Sequence, residues 1–291
     1  MIVIMEGVNY NQRQRGYGAR EKEELINAIV TLHKEGYSQV DIANMLKISR
    51  GTILRWNKDL EFITSRLPGE AGKMKSRIHE YNEDYFSNIQ TPNQGYLVGY
   101  ILGDGTVVDR KKSKRLVLSL AEEDKQLLYD IAEEFNMTEV VKFRKANAQN
   151  EQNKFSLLIS STKLCNDLIS LGITPKKTGK EKWIDFNDEK LQWAFLRGFF
   201  DADGHIRVYR RNGWLKTRVG FTGTKEMLES ILQFLKSYGI GQNVNSIHEK
   251  QGCYDLYISS VKEAQIMFSY LYKYGNIKLN RKYEKFSSLM I

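Results

Sequence analysis

Two aspartates, Asp104 and Asp203, occupy matching places in two similar stretches, YLVGYILGDG (96–105) and FLRGFFDADG (195–204), which are 99 residues apart. Each stretch has helical apolar spacing and ends in Asp-Gly. A carboxylate in the last turn of a helix faces the negative pole of the helix dipole, which disfavours it by about 0.3–1 kcal/mol. If the two helices pair, their two anions repel by roughly 3 kcal/mol at a separation of about 5 Å and an effective dielectric of about 20. A positive charge must compensate. Mg2+, or another divalent cation, suits such a site because it takes hard oxygen ligands, keeps several waters and bridges to phosphate oxygens.

The glycines say how these aspartates would be positioned. Gly99 and Gly103 lie four residues apart on one helical face, and Gly198 with Ala202 repeats the arrangement. A glycine inside a helix costs about 1 kcal/mol relative to alanine, so two on one face imply a neighbour too close for a larger side chain. Thr91-Pro92 is a favourable start for the first of these helices. Gly105 and Gly204 are expected to end the two helices in the left-handed conformation.

The likeness extends beyond these helices. Residues 94–174 and 193–274 both read helix, two strands, helix, two strands, helix. In the second copy Asn212-Gly213 marks a tight hairpin. Alternation sends Ile206, Val208, Leu215, Thr217, Val219 and Phe221 to a core and Arg207, Tyr209, Arg211, Lys216 and Arg218 outward. In the first copy Leu116, Leu118 and Leu120 point inward after a basic loop of Arg110, Lys111, Lys112, Lys114 and Arg115. Its second hairpin offers Lys142, Arg144 and Lys154. Two sheets with basic faces suit a duplex groove, and the net charge of +9 also points to a polyanion.

Ahead of the repeat, residues 20–35 carry one apolar helical stripe that Gly36 ends. Ser38 with Asp41 opens a second helix and Ser49 caps a third. Ile42, Ala43, Leu46, Ile48, Ile53 and Trp56 would share a small core, leaving Ser49, Arg50, Thr52, Arg55 and Lys58 to meet a DNA groove. The run GYSQVDIANMLKISRGTILRW resembles the helix-turn-helix of recombinases and bacterial regulators, with Lys47 where a turn glycine is common. Residues 61–92 are polar and read as a linker with one helix near 76–86, where Arg66, Lys73, Lys75 and Arg77 could touch phosphates. The expected divisions are therefore 1–60, 61–92, 93–182 and 183–291. No apolar run reaches the ~18 residues of a membrane span, and MIVIM is too short for a secretion signal, so an intracellular location is expected. Cys165 and Cys253 lack zinc-site spacing and read as reduced structural residues.

LVGYILGDG (97–105) and LRGFFDADG (196–204) resemble the paired signature motifs of the LAGLIDADG homing endonucleases. That resemblance implies an α+β fold: two pseudo-symmetric αββαββα halves in one chain, forming a DNA-binding saddle behind an all-α helix-turn-helix domain. It implies a monomer that cuts both strands of a long double-stranded DNA site by metal-dependent hydrolysis, leaving staggered ends. Asp104 and Asp203 would hold the metals with the main-chain oxygens of Gly103 and Ala202. Lys177 and Lys282, after the last helix of each half, would be the basic groups that assist. Leu102 departs from the motif's aspartate, whereas Asp201 keeps it. His205 follows the second motif, but its counterpart is Thr106, so symmetry speaks against an essential base there. The alternatives are a non-cleaving transcription regulator of the same fold and an intron maturase acting on RNA. An intein is disfavoured by the Met1 start and the SSLMI end.

Overall fold

The computed structural model describes residues 16–64, 81–110, 113–146 and 151–290. The chain separates into two compact units between Glu80 and Tyr81. No described helix is long and apolar enough to cross a membrane.

The first unit holds α1 (Ala19–Lys34), α2 (Gln39–Met45) and α3 (Arg50–Leu60). The Ser38 hydroxyl accepts from the Asp41 N–H while the Asp41 side chain reaches back, and the Ser49 hydroxyl accepts from the Thr52 N–H. Both caps satisfy amides that a helix start leaves unpaired. Ile29, Leu32, Ile42, Ala43, Ile53 and Trp56 form the core, with Leu46 and Ile48 packed against it. Lys47 takes a φ of 53° in the turn, the left-handed conformation that explains why glycine is favoured there. Arg50, Arg55 and Lys58 are exposed on α3, as is Ser49 at its cap. Thr52 is not: it is 6% exposed, and its hydroxyl lies 2.9 Å from Ser49 Oγ. It stands four residues before Trp56, on the face that the helix turns toward the core.

The second unit opens with α4 (Pro92–Asp104), β1 (Thr106–Arg110), β2 (Ser113–Ala121), α5 (Lys125–Glu134), β3 (Lys142–Arg144), β4 (Lys154–Ile159) and α6 (Thr162–Ser170). The same order returns as α7 (Glu189–Asp203), β5 (Gly204–Arg211), β6 (Trp214–Gly223), α8 (Lys225–Ser237), β7 (His248–Lys250), β8 (Cys253–Ile258) and α9 (Val261–Leu271), and α10 (Asn280–Ser287) follows. Each half has one antiparallel sheet, ordered β1-β2-β4-β3 and β5-β6-β8-β7. Leu116, Leu118 and Leu120 pack inward in the first sheet, and Val219, Phe221, Leu256 and Ile258 in the second, joining one core. The stretch expected as a linker gives its end to this unit. Tyr85 and Phe86 pack on Phe135, with ring centroids 4.6 and 6.0 Å away, and the Tyr85 hydroxyl donates to Glu134 at 2.7 Å. Residues 81–90 form turns without a helix, while Arg66, Lys73, Lys75 and Arg77 lie outside the described residues.

The two motif helices α4 and α7 are the spine. A Cβ on Gly99 would lie 2.0 Å from Phe195 O, and one on Gly198 would lie 2.0 Å from Tyr96 O. Farther along, a Cβ on Gly103 would come within 2.3 Å of Ala202 Cβ. These contacts advance in the same direction on both helices, so the pair runs parallel and both carboxyl ends emerge together. Only glycine allows backbones this close.

Gly105 and Gly204 differ from expectation. Their φ/ψ values of −76°/154° and −90°/163° are extended, not left-handed. The chain passes directly from each helix into a strand, and a Cβ on Gly105 would strike Ile101 at 2.6 Å, one on Gly204 Phe200 at 2.3 Å. Glycine is needed there for space.

Candidate metal centre and nucleic-acid interface

Asp104 and Asp203 are the last residues of the paired helices. Their ends converge so tightly that Asp203 Oδ2 lies 2.7 Å from where a Gly103 Cβ would sit. Among the described residues neither carboxylate has a hydrogen-bond or ion-pair partner. Burial raises both carboxyl pKa values, and burial together with the Asp104 charge brings that of Asp203 to about 6. Asp104 is exposed, so the surrounding protein strips only part of its hydration. Two carboxylates that resist ionisation, placed side by side with free oxygens, fit a divalent cation, which would restore the charge they lack.

Lys177 and Lys282 are buried rather than surface lysines, 9% and 6% exposed. Lys177 Nζ donates to Gly103 O. Lys282 Nζ donates to Phe200 O and Asp201 O, both at 2.8 Å, to Gly204 O at 2.5 Å and more weakly to Ala202 O at 3.4 Å. Ammonium groups at helix carboxyl ends satisfy orphan carbonyls and offset the negative pole. Burial lowers both lysine pKa values, that of Lys282 to about 8. The oxygens of Gly103 and Ala202, expected to face a metal, therefore each carry an ammonium in this structure and have one lone pair left.

Asp201 does more than pack. Its Oδ2 accepts from the Tyr96 hydroxyl at 2.9 Å and from the Leu279 N–H at 2.7 Å, so it ties the residues leading into α10, and hence Lys282, to the motif helix. Arg197, 1% exposed, donates to Leu271 O and Tyr274 O at 3.1 and 2.5 Å and lies over the Tyr96 ring. Arg281 holds Asp124 of the first half through both carboxylate oxygens at 2.9 and 3.0 Å. The signal for Asp201 was present, a charged residue next to the apolar run Phe199-Phe200 on the buried part of the helix. Nothing local identified its partners, which lie 105 and 78 residues away.

The second sheet carries its predicted residues on one face. Arg207 pairs in register with Arg218, Tyr209 with Lys216 and Arg211 with Trp214, and all six are exposed. Trp214, Tyr257 and Lys250 extend this face and were missed. Alternation continued to Trp214 and into CYDLYI would have found the first two. In the first sheet Arg110, Arg115, Lys142, Arg144 and Lys154 share the outer face. Lys114 does not. It alternates with Leu116 on the core side and pairs with Asp109 at 2.5 Å, because Asp109 is its direct cross-strand neighbour. Lys111 and Lys112 lie outside the described residues. His205 lies over Gly220, whose missing Cβ would be 2.2 Å from the ring, and burial lowers its pKa.

A parallel glycine-faced helix pair ending in twin aspartates between two four-stranded sheets defines a two-motif LAGLIDADG architecture. Residues 91–169 and 190–271 each match the LAGLIDADG-like domain family, so the chain belongs to that family. Residues 18–59 match the helix-turn-helix domain of resolvase. An uncharacterized protein of Methanocaldococcus jannaschii is 24% identical over 92% of this chain and 93% of its own length. The glutamine–fructose-6-phosphate aminotransferase of the same organism is 27% identical over 68% of this chain, which spans only 18% of that enzyme. Among solved structures, the LAGLIDADG meganuclease I-AabMI bound to uncleaved DNA is 16% identical, covering 69% of this chain and 89% of that one with a TM-score of 0.45. The I-LtrWI LAGLIDADG homing endonuclease bound to target DNA is 15% identical, covering 72% and 90% with a TM-score of 0.44.

Proposed function

We propose that this protein is a site-specific endonuclease that hydrolyses both strands of double-stranded DNA with Mg2+ or another divalent cation. The observation that carries the proposal is the convergence of two partnerless carboxylates, Asp104 and Asp203, at one end of a tightly packed helix pair. Burial disfavours this pair, and the nearby charges of Lys177 and Lys282 offset that only in part. The pair raises the energy of the helix ends, and alanine or asparagine would relieve the repulsion.

Bound between these carboxylates, a divalent cation would activate water and neutralise charge developing on a phosphate. The protein supplies the rest. Asp104 and Asp203 fix the position of the positive charge, and the parallel glycine faces hold them to it. Lys177 and Lys282 neutralise the helix ends and keep positive potential beside the phosphates. The outward arginines and lysines of the two sheets would follow a duplex backbone. Exposed Arg50, Arg55 and Lys58 of α3, with Ser49 at its cap, would add contacts from the amino-terminal unit.

The test is incubation of the purified protein and Mg2+ with a linear duplex that joins the sequences flanking its own gene without the gene between them. Staggered double-strand cleavage is expected, and it should vanish in the Asp104→Asn plus Asp203→Asn variant. Equal cutting by that variant would remove the site assignment. Tight binding without cutting by the wild type would instead identify a regulator of the same fold.

A further inference from the structure

Asp255 is 0% exposed, yet it belongs to the outer face of the second sheet, where its neighbours are cationic or neutral. Its Oδ1 accepts from the Thr222 hydroxyl at 2.7 Å, and its Oδ2 accepts from the Tyr257 hydroxyl at 2.5 Å and from Lys250 Nζ. A buried anion on a surface meant to meet a polyanion is costly unless it organises something. Here it organises partners from three strands. Tyr257, held by its hydroxyl, carries the Arg218 guanidinium over its ring at 5.0 Å. Lys250 remains half-exposed, its stem pinned at the sheet surface with its head beside the carboxylate.

Both carboxylate oxygens are consumed internally, so the groups this patch can extend are dominated by donors, the Arg218 guanidinium and the Lys250 ammonium. In a major groove, paired acceptors on one base edge belong to guanine, through O6 and N7. The matching place in the first sheet is built differently. There Ser119 and Ser156 share a hydrogen bond at 2.8 Å, with Lys142 in register, and no carboxylate is present.

We propose that Asp255 is a positioning residue that presets Arg218 and Lys250, through Tyr257 and Thr222, to select guanine at a few adjacent positions of one half-site. This rests on the reading that the sheets face a DNA duplex.

The experiment is selection from a pool of randomised duplexes by the full-length protein in metal-free buffer, followed by sequencing of the bound fraction. Wild type should enrich guanine at one short block. D255N and T222V should lower that preference about tenfold at the block alone, the loss expected for one good base contact, while T222S retains it. A packing role predicts the reverse order, since valine fills the threonine site and serine does not. Unchanged guanine preference in D255N and T222V overturns the proposal, as does an even loss over every position. If D255N fails to fold, the comparison of T222V with T222S decides. Failure of the wild type to enrich any duplex would overturn the DNA-binding reading itself and this inference with it, a result distinct from enrichment that the substitutions leave intact.

Discussion

Asp203 illustrates how a buried carboxylate can be held against its own preference. Its pKa in the folded protein, about 6, lies above the ordinary 3.8, chiefly because burial disfavours the charged form. The folded state therefore binds this proton more tightly than the unfolded chain does. The penalty is absent below about pH 4, grows as pH rises through that interval and is complete above about pH 6. Asp203→Asn should stabilise the metal-free protein at pH 7.5 by on the order of 1–2 kcal/mol, less than the ~3 kcal/mol of an unscreened shift, and the gain should disappear near pH 4. Urea melts at both pH values check this, and a gain independent of pH would contradict it. Burial disfavours the Lys282 charge as well, lowering its pKa to about 8, but unlike Asp203 this group has partners, four carbonyls that accept from its ammonium. Lys282→Met removes the ammonium donor from all four oxygens, of which Phe200 O keeps the Gly204 N–H, so a loss of about 1–3 kcal/mol is expected in the same melts.

Among the elements, the helix pair is the least forgiving. Gly99→Ala would place a methyl 2.0 Å from a backbone oxygen that cannot step aside without moving α7. Overpacking of this kind should reduce stability by about 3 kcal/mol; if Asp104 and Asp203 hold a divalent cation as proposed, parting the helix ends should also lower its affinity in isothermal titration. The turn between α2 and α3 offers a contrasting case. Lys47 occupies a left-handed conformation that glycine adopts freely. Lys47→Gly should therefore raise the unfolding midpoint of the first unit, by about 0.5–1 kcal/mol in free energy, with the exposed side chains of α3 untouched.

At the scale of the molecule, each unit closes its own core. The apolar cluster of the first unit ends at Ile63, and that of the second begins at Tyr81. Residues 81–291 expressed alone should thus unfold cooperatively, and circular dichroism with urea would detect a failure to do so. Because Tyr85 and Phe86 belong to that core, a fragment begun at residue 93 should be markedly less stable. If the amino-terminal unit contributes to binding as proposed, removing residues 1–60 should weaken DNA affinity and shorten the protected footprint.

Much of this was legible in the residues. Two Asp-Gly ends 99 residues apart, glycines at four-residue spacing and alternating strands announced the repeat, the helix pair and the charged sheet faces, because each is a local pattern repeated along the chain. Thr52 and Lys114 were misplaced because one-face arguments fail at the edge of a face, where a shift of one position turns a side chain inward. The carbonyl partners of Lys177 and Lys282, the ties made by Asp201 and the bonding of Asp255 were decided by tertiary structure alone. Burial, and the company a charge keeps once buried, depends on which distant segments arrive beside it.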